Sequence, residues 1–172
     1  MAKLKKETLP SDMAKVRGFY RLQIREQDGR VAGDSGWHEN QVVNEGFRDY
    51  LCQTLAGMAG SKTISYAMLG TGTAPGATAT ALDGEITSGQ GGTPNANRCA
   101  VTPTTIASKT VQFAFTLASG QYAAANTIQN VGLINHSSTA TAGTIFAGNT
   151  YTTSALATNQ SVNGSYQIRF SS

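Results

Sequence analysis

Val111-Gln-Phe-Ala-Phe-Thr-Leu117 decides the fold of this chain. Its large apolar side chains stand at every second position, with Gln112, Ala114 and Thr116 between them. That is the period of a strand that buries one face. The pattern recurs at both ends of the sequence. Tyr20, Leu22 and Ile24 alternate with Arg21, Gln23 and Arg25, and Tyr166, Ile168 and Phe170 alternate with Gln167 and Arg169. Ile64, Tyr66 and Met68 give a further strand that ends at Gly70, and shorter candidates cover 127–134, 144–147 and 151–156. Asp28-Gly29 and Asn163-Gly164 are dipeptides suited to tight hairpin turns, and a return strand is expected near residues 30–32 and around Trp37.

One stretch has helical spacing. Asn44 is placed to cap it, Phe47, Tyr50, Leu51 and Leu55 form an apolar stripe, and Gly57 and Gly60 close it. Cys52 beside the stripe is expected to be buried. Many short strands with turn signals between them, plus one helix, predict a mainly β protein. The expected architecture is an antiparallel β-sandwich (jelly-roll-like) or barrel, with one short α-helix near residues 44–57 and an extended N-terminal arm. The expected organisation is a basic arm over 1–15 and a single β-rich domain over 16–172.

Charge is unevenly placed. No Asp or Glu follows Glu85, and Arg98, Lys109, Arg169 and His136 are the only basic side chains beyond it. General acid–base catalysis and metal binding need ionisable groups, and half of this chain has almost none. With charged residues at only 13%, the composition points to strands that pack against neighbours, in a structural or binding protein and not an enzyme. The basic groups concentrate early: Lys3, Lys5, Lys6, Lys15 and Arg17 are the candidate partner-binding residues. A basic arm on a neutral body suits attachment to an acidic surface. Nucleic acid is the less favoured partner, because no Arg run or interleaved stacking aromatics continue the arm.

Other chemical motifs have plainer readings. Gly70-Thr-Gly-Thr-Ala-Pro-Gly76 lacks the Gly-Lys-Ser/Thr of a phosphate loop and reads as a strand-ending loop. His38, Glu39 and His136 lack zinc spacing, and no nucleophile motif surrounds His136. Asp83 and Glu85 read as a surface ion pair with Arg98 or with a neighbouring subunit. Trp37, Tyr20 and Tyr50 are candidates for a sugar platform or, more simply, core aromatics. Cys52 and Cys99 are too few for a disulfide framework and are expected to be reduced. No cofactor or metal is expected. No apolar run approaches the ~20 residues of a membrane span, and no signal-peptide pattern opens the chain, so synthesis in the cytoplasm and no membrane partner are expected.

A set of short motifs carries a resemblance: Trp37-His-Glu-Asn40, Val43-Asn-Glu-Gly46, Ile64-Ser-Tyr-Ala-Met-Leu-Gly-Thr-Gly72 with Ala74-Pro75, Ala81-Leu-Asp-Gly-Glu85, Asn130-Val-Gly-Leu-Ile134 and Gly143-Thr-Ile-Phe-Ala147. Their order resembles that of small virion proteins of tailed bacteriophages, found among capsid decoration proteins and tail or fibre components. The Gly- and Asn-rich Ser88–Asn97 insertion departs from the pattern. The resemblance implies a structural protein located in the virion, and within that class small size, one β-domain, a basic arm and low charge favour a capsid decoration (cement) protein. Its implied partners are the major capsid protein or other virion proteins, and further copies of itself, with a trimer suited to three-fold lattice positions. A tail, collar or fibre-base protein and a host-carbohydrate-binding module are the alternatives.

Overall fold

The computed structural model describes residues 15–86, 98–120, 126–137 and 143–171. Within them the chain is mainly β and antiparallel, as the alternation predicts. The strands are β1 (Lys15–Arg25), β2 (Val31–Asp34), β3 (His38–Val42), β4 (Tyr66–Gly70), β5 (Cys99–Ala100), β6 (Thr102–Ala107), β7 (Thr110–Leu117), β8 (Asn126–Ile134), β9 (Ile145–Leu156) and β10 (Ser161–Ser171). The hydrogen-bonded order is β5-β4-β8-β9-β3-β1-β10-β7-β6, with β2 added beside β1.

Two corners bend this sheet into a nearly closed barrel. His38–Asn40 of β3 pair with β1, whereas Gln41 and Val42 pair with β9. The second corner joins the two ends of the order. Cys99 and Ala100 pair with β4, and after Val101 the chain pairs with β7 from Thr102 onward. Strands that bend from one sheet to the other are how orthogonal β-packings make corners.

Alternation fills the interior. Tyr20, Leu22 and Ile24 from β1 meet Phe113, Phe115 and Leu117 from β7, and Val162, Tyr166 and Ile168 from β10. Val131, Leu133, Phe146 and Ala147 face them from β8 and β9. A smaller apolar cluster of Val43, Met68, Leu82, Ile134 and Ile145 lies apart from this core, with Tyr66 and Ala79 against it. The strands β4, β8 and β9 therefore bury both faces, the second under the segment that carries Ala79 and Leu82.

Several expectations are corrected. Tyr66 and Met68 pack in the smaller cluster, while Ala67 and Leu69 point into the main core. Asn163-Gly164 is not a turn but mid-strand, paired with Gln23 and Leu22. Glycine is required at 164 because a Cβ there would lie 1.9 Å from the Phe115 ring. The turn falls instead at residues 157–160, where Gln160 N–H donates to Ala157 O over 3.1 Å. The two short candidates over 144–147 and 151–156 form one strand, β9, with a register shift opposite Ile128–Asn130. Strand β6 has no counterpart among the sequence-based candidates, because all six of its residues are exposed and no apolar alternation marks them.

The helix, α1, runs over 46–55. It is wound with i→i+5 bonds from Gly46 to Cys52 and continues as α-helix from Gln53 to Leu55. Asn44 does not cap it. The N-terminal boundary falls at Glu45 with no side-chain cap, and Asn44 N–H instead donates to Ala77 O. The wider winding turns each side chain through a smaller angle, so a stripe set at 3.6-residue spacing does not stay on one face. Only Tyr50 of that stripe is fully buried. Cys52 is exposed, contrary to expectation, and Cys99 is buried; neither thiol forms a disulfide.

Candidate partner interface

Strand β9 fixes how α1 sits. Gly46 lies so close to it that a Cβ would stand 2.2 Å from Phe146 O. The Tyr50 hydroxyl donates to Thr144 O, and its ring meets Phe146 edge-on with centroids 5.3 Å apart. Burial pushes the Tyr50 phenol above its ordinary pKa. Asp49, also buried, accepts from Arg48 Nε and Lys62 Nζ, each at 2.5 Å. These contacts pin one side of α1.

The other side is left apolar and open. Leu55 is 88% exposed, Met58 55%, and Phe47 41%. Leu51, between Phe47 and Leu55 along the helix, lines a cleft of about 170 Å3 shared with Tyr50, Ile64, Val111, Ile168 and Phe170. Phe170 pairs with Val16 in β1, one residue after Lys15. The apolar cleft and the first described residue of the chain therefore lie at the same end of the barrel.

Hydrogen bonds to Arg48 first, and to Lys62, hold the Asp49 carboxyl down to about 2 from an ordinary 3.8. A depressed carboxylate stabilises the folded state above its unfolded pKa, and that contribution disappears as pH falls through the folded one. Asp49→Asn should therefore melt below the wild type at pH 6. The gap should narrow between pH 4 and pH 2 in thermal melts followed by circular dichroism.

The sequence-derived partner residues separate. Lys3, Lys5 and Lys6 lie outside the described residues. Lys15 is exposed at the start of β1. Arg17 belongs to β1 and is engaged within the chain, its Nε and Nη2 each 2.7 Å from the Glu39 carboxylate. The apolar side of α1 is a surface that sequence reasoning missed. Its stripe is visible in the sequence, but reads as facing inward.

The other flagged groups have structural work. Glu85 and Arg98 do pair, but not at the surface: their side chains are 3% and 2% exposed, and Arg98 Nε and Nη2 reach Glu85 at 2.6 and 2.8 Å. Arg98 also donates to His136 O over 3.0 Å. The pair lies inside because Glu85 bridges to Gly70 at the end of β4, and Arg98 leads into β5 along the same edge of that strand, the edge opposite β8. Around Gly70-Thr-Gly-Thr73, the Asp83 carboxylate already accepts from Thr73 N–H (2.8 Å) and Thr73 Oγ1 (2.9 Å). Thr71 N–H donates to Gly84 O. The Asp83 carboxylate already occupies the Thr73 donors and a backbone carbonyl that of Thr71, which disfavours phosphate in the loop. Trp37 is 43% exposed, so it is not the core aromatic that the plainer reading expected, whereas Tyr20 and Tyr50 are buried and form no surface platform with it.

No family model, curated protein or solved structure matches the chain.

Proposed function

We propose that this is a non-enzymatic structural protein of a tailed-phage virion, acting as a capsid decoration (cement) subunit that attaches to the shell. The observation that carries this reading is the apolar side of α1, with Phe47, Leu55 and Met58 open to solvent beside an apolar cleft. Apolar surface concentrated in this way marks a protein–protein contact. The proposed occupant is a virion shell protein, seated on α1 and met by the basic arm, whose chain reaches the body beside that cleft. Burying a Leu or Met side chain contributes about 1.5–3 kcal/mol, and a lattice of many copies adds avidity to modest single contacts.

The double variant Leu55→Glu/Met58→Glu tests this. Both side chains are exposed, so the body should fold with an unchanged melting temperature. Occupancy on purified particles should fall at least about tenfold, the factor that ~1.4 kcal/mol represents. Undiminished occupancy would remove α1 from the interface. A tail, collar or fibre-base position is the alternative, and counting copies per particle separates a shell-wide distribution from one limited to a tail or vertex.

A further inference from the structure

The outer face of β1, β10, β7 and β6 is a second surface with a different chemistry. In β1 the outward residues are Lys15, Arg17, Phe19, Arg21, Gln23 and Arg25, opposite to buried Tyr20, Leu22 and Ile24. Their register partners in β10 are Ser171, Arg169, Gln167, Ser165, Asn163 and Ser161. Beyond them in β7 stand Thr110, Gln112, Ala114 and Thr116. No acidic residue occurs in β6, β7 or β10. Of the carboxylates bordering β1, Glu39 holds Arg17 and Asp34 holds Arg21, while Glu26, next to Arg25, accepts from Gln160 Nε2 at 2.9 Å.

Arg169 sits one row in from the Lys15–Ser171 end of this face, between Arg17 and Thr110, and is held in place. Its Nε and Nη2 donate to Gln167 Oε1 at 3.1 and 2.6 Å, and Gln167 in turn donates to Gln112 Oε1 at 2.9 Å. Its guanidinium carbon lies 4.5 Å from the Phe19 ring centroid, and that of Arg17 lies 5.5 Å from the same ring. Among the described residues no carboxylate pairs with Arg169 or with Arg25. Arg25 is oriented by Gly29 O and Gln23 Oε1. A guanidinium fixed by an amide and an aromatic ring is preorganised to receive a carboxylate through its remaining N–H groups.

We infer that this arginine and amide face binds an acidic polypeptide segment, with Arg169 and Arg25 as the receiving cations. An acidic peptide fits better than single-stranded nucleic acid. Phe19, the one outward aromatic of these β1, β10 and β7 positions, is already covered by guanidinium groups and offers bases no stacking platform. The inference is independent of the virion reading, since it concerns the outer face of these strands, whereas Val111, Ile168 and Phe170 line the α1 cleft from the opposite face.

Fluorescence anisotropy with a labelled deca-glutamate peptide tests it, with deca-thymidylate as the second probe. The wild type should bind the peptide more tightly than the oligonucleotide, and binding should weaken as salt rises. Arg25→Gln/Arg169→Gln should weaken peptide binding at least tenfold. Thr110→Glu, which places a competing carboxylate beside Arg169 with the arginine ladder intact, should weaken it comparably and covers the case in which the double variant misfolds. Leu55→Glu/Met58→Glu should bind as the wild type does. Tighter binding of the oligonucleotide would overturn the inference, as would peptide affinity unchanged in folded Thr110→Glu or in the folded double variant.

Discussion

Arg98→Met should lower the unfolding free energy by about 3–5 kcal/mol, the range for removing one partner of a buried ion pair. The arginine is 2% exposed at the side chain and makes a two-point contact with Glu85, itself 3% exposed. Methionine fills much of the same volume, so the loss comes from the carboxylate left without its cation in a low-dielectric interior. The contact with His136 O disappears as well, and β4, β5 and the end of β8 lose their shared tie. Combining Arg98→Met with Glu85→Gln should recover part of the stability, because no buried charge then remains. Urea denaturation of the single and double variants beside the wild type checks both statements. A single variant within about 1 kcal/mol of the wild type would mean that the pair is far better hydrated than its burial implies.

Gly164→Ala should destabilise by at least about 3 kcal/mol, at or beyond the top of the usual range for overpacking. For a domain of this size that corresponds to a fall of roughly 6–12 °C in melting temperature. The added Cβ would stand 1.9 Å from Phe115 Cζ, and within 2.5 Å of two further ring atoms. Phe115 is 5% exposed and cannot swing outward. The second-site change Phe115→Leu should restore part of the loss when combined with Gly164→Ala, although the same change costs stability in the wild type by opening a cavity. Scanning calorimetry of the four-member cycle reads the coupling directly.

Gly164 also shows where sequence reasoning stopped. An Asn-Gly pair has the chemistry of a hairpin turn, and nothing local reveals that the ring of a residue 49 positions earlier needs the space. Strands β1, β7 and β10 were legible because each buries one face, so period two runs undisturbed. Strand β4 was found, but its sides were exchanged: Met68 is larger than Ala67, yet Ala67 faces the main core because a distant loop covers Met68. Strand β6 left no trace because neither of its faces is buried.

The interface divides in the same way. The apolar spacing around Leu51 and Leu55 was plain in the sequence. Its outward direction was not, because that depends on Asp49 being drawn inward between Arg48 and Lys62. The arginines of β1 were visible as a charge excess. That Arg169, from the other end of the chain, completes their face follows only from the β1–β10 register.

That register has a consequence for biogenesis. Lys15 lies across from Ser171, and all eleven residues of the opening strand find partners in the closing one. During translation the opening strand emerges early and must wait, one edge unsatisfied, until the ribosome has delivered the far end. Most of the intervening sheet can assemble meanwhile, but the ring cannot shut until residues 161–171 have emerged. A nascent chain stalled short of residue 161 would hold that edge bare, where holdase chaperones or a neighbouring polysome could capture it.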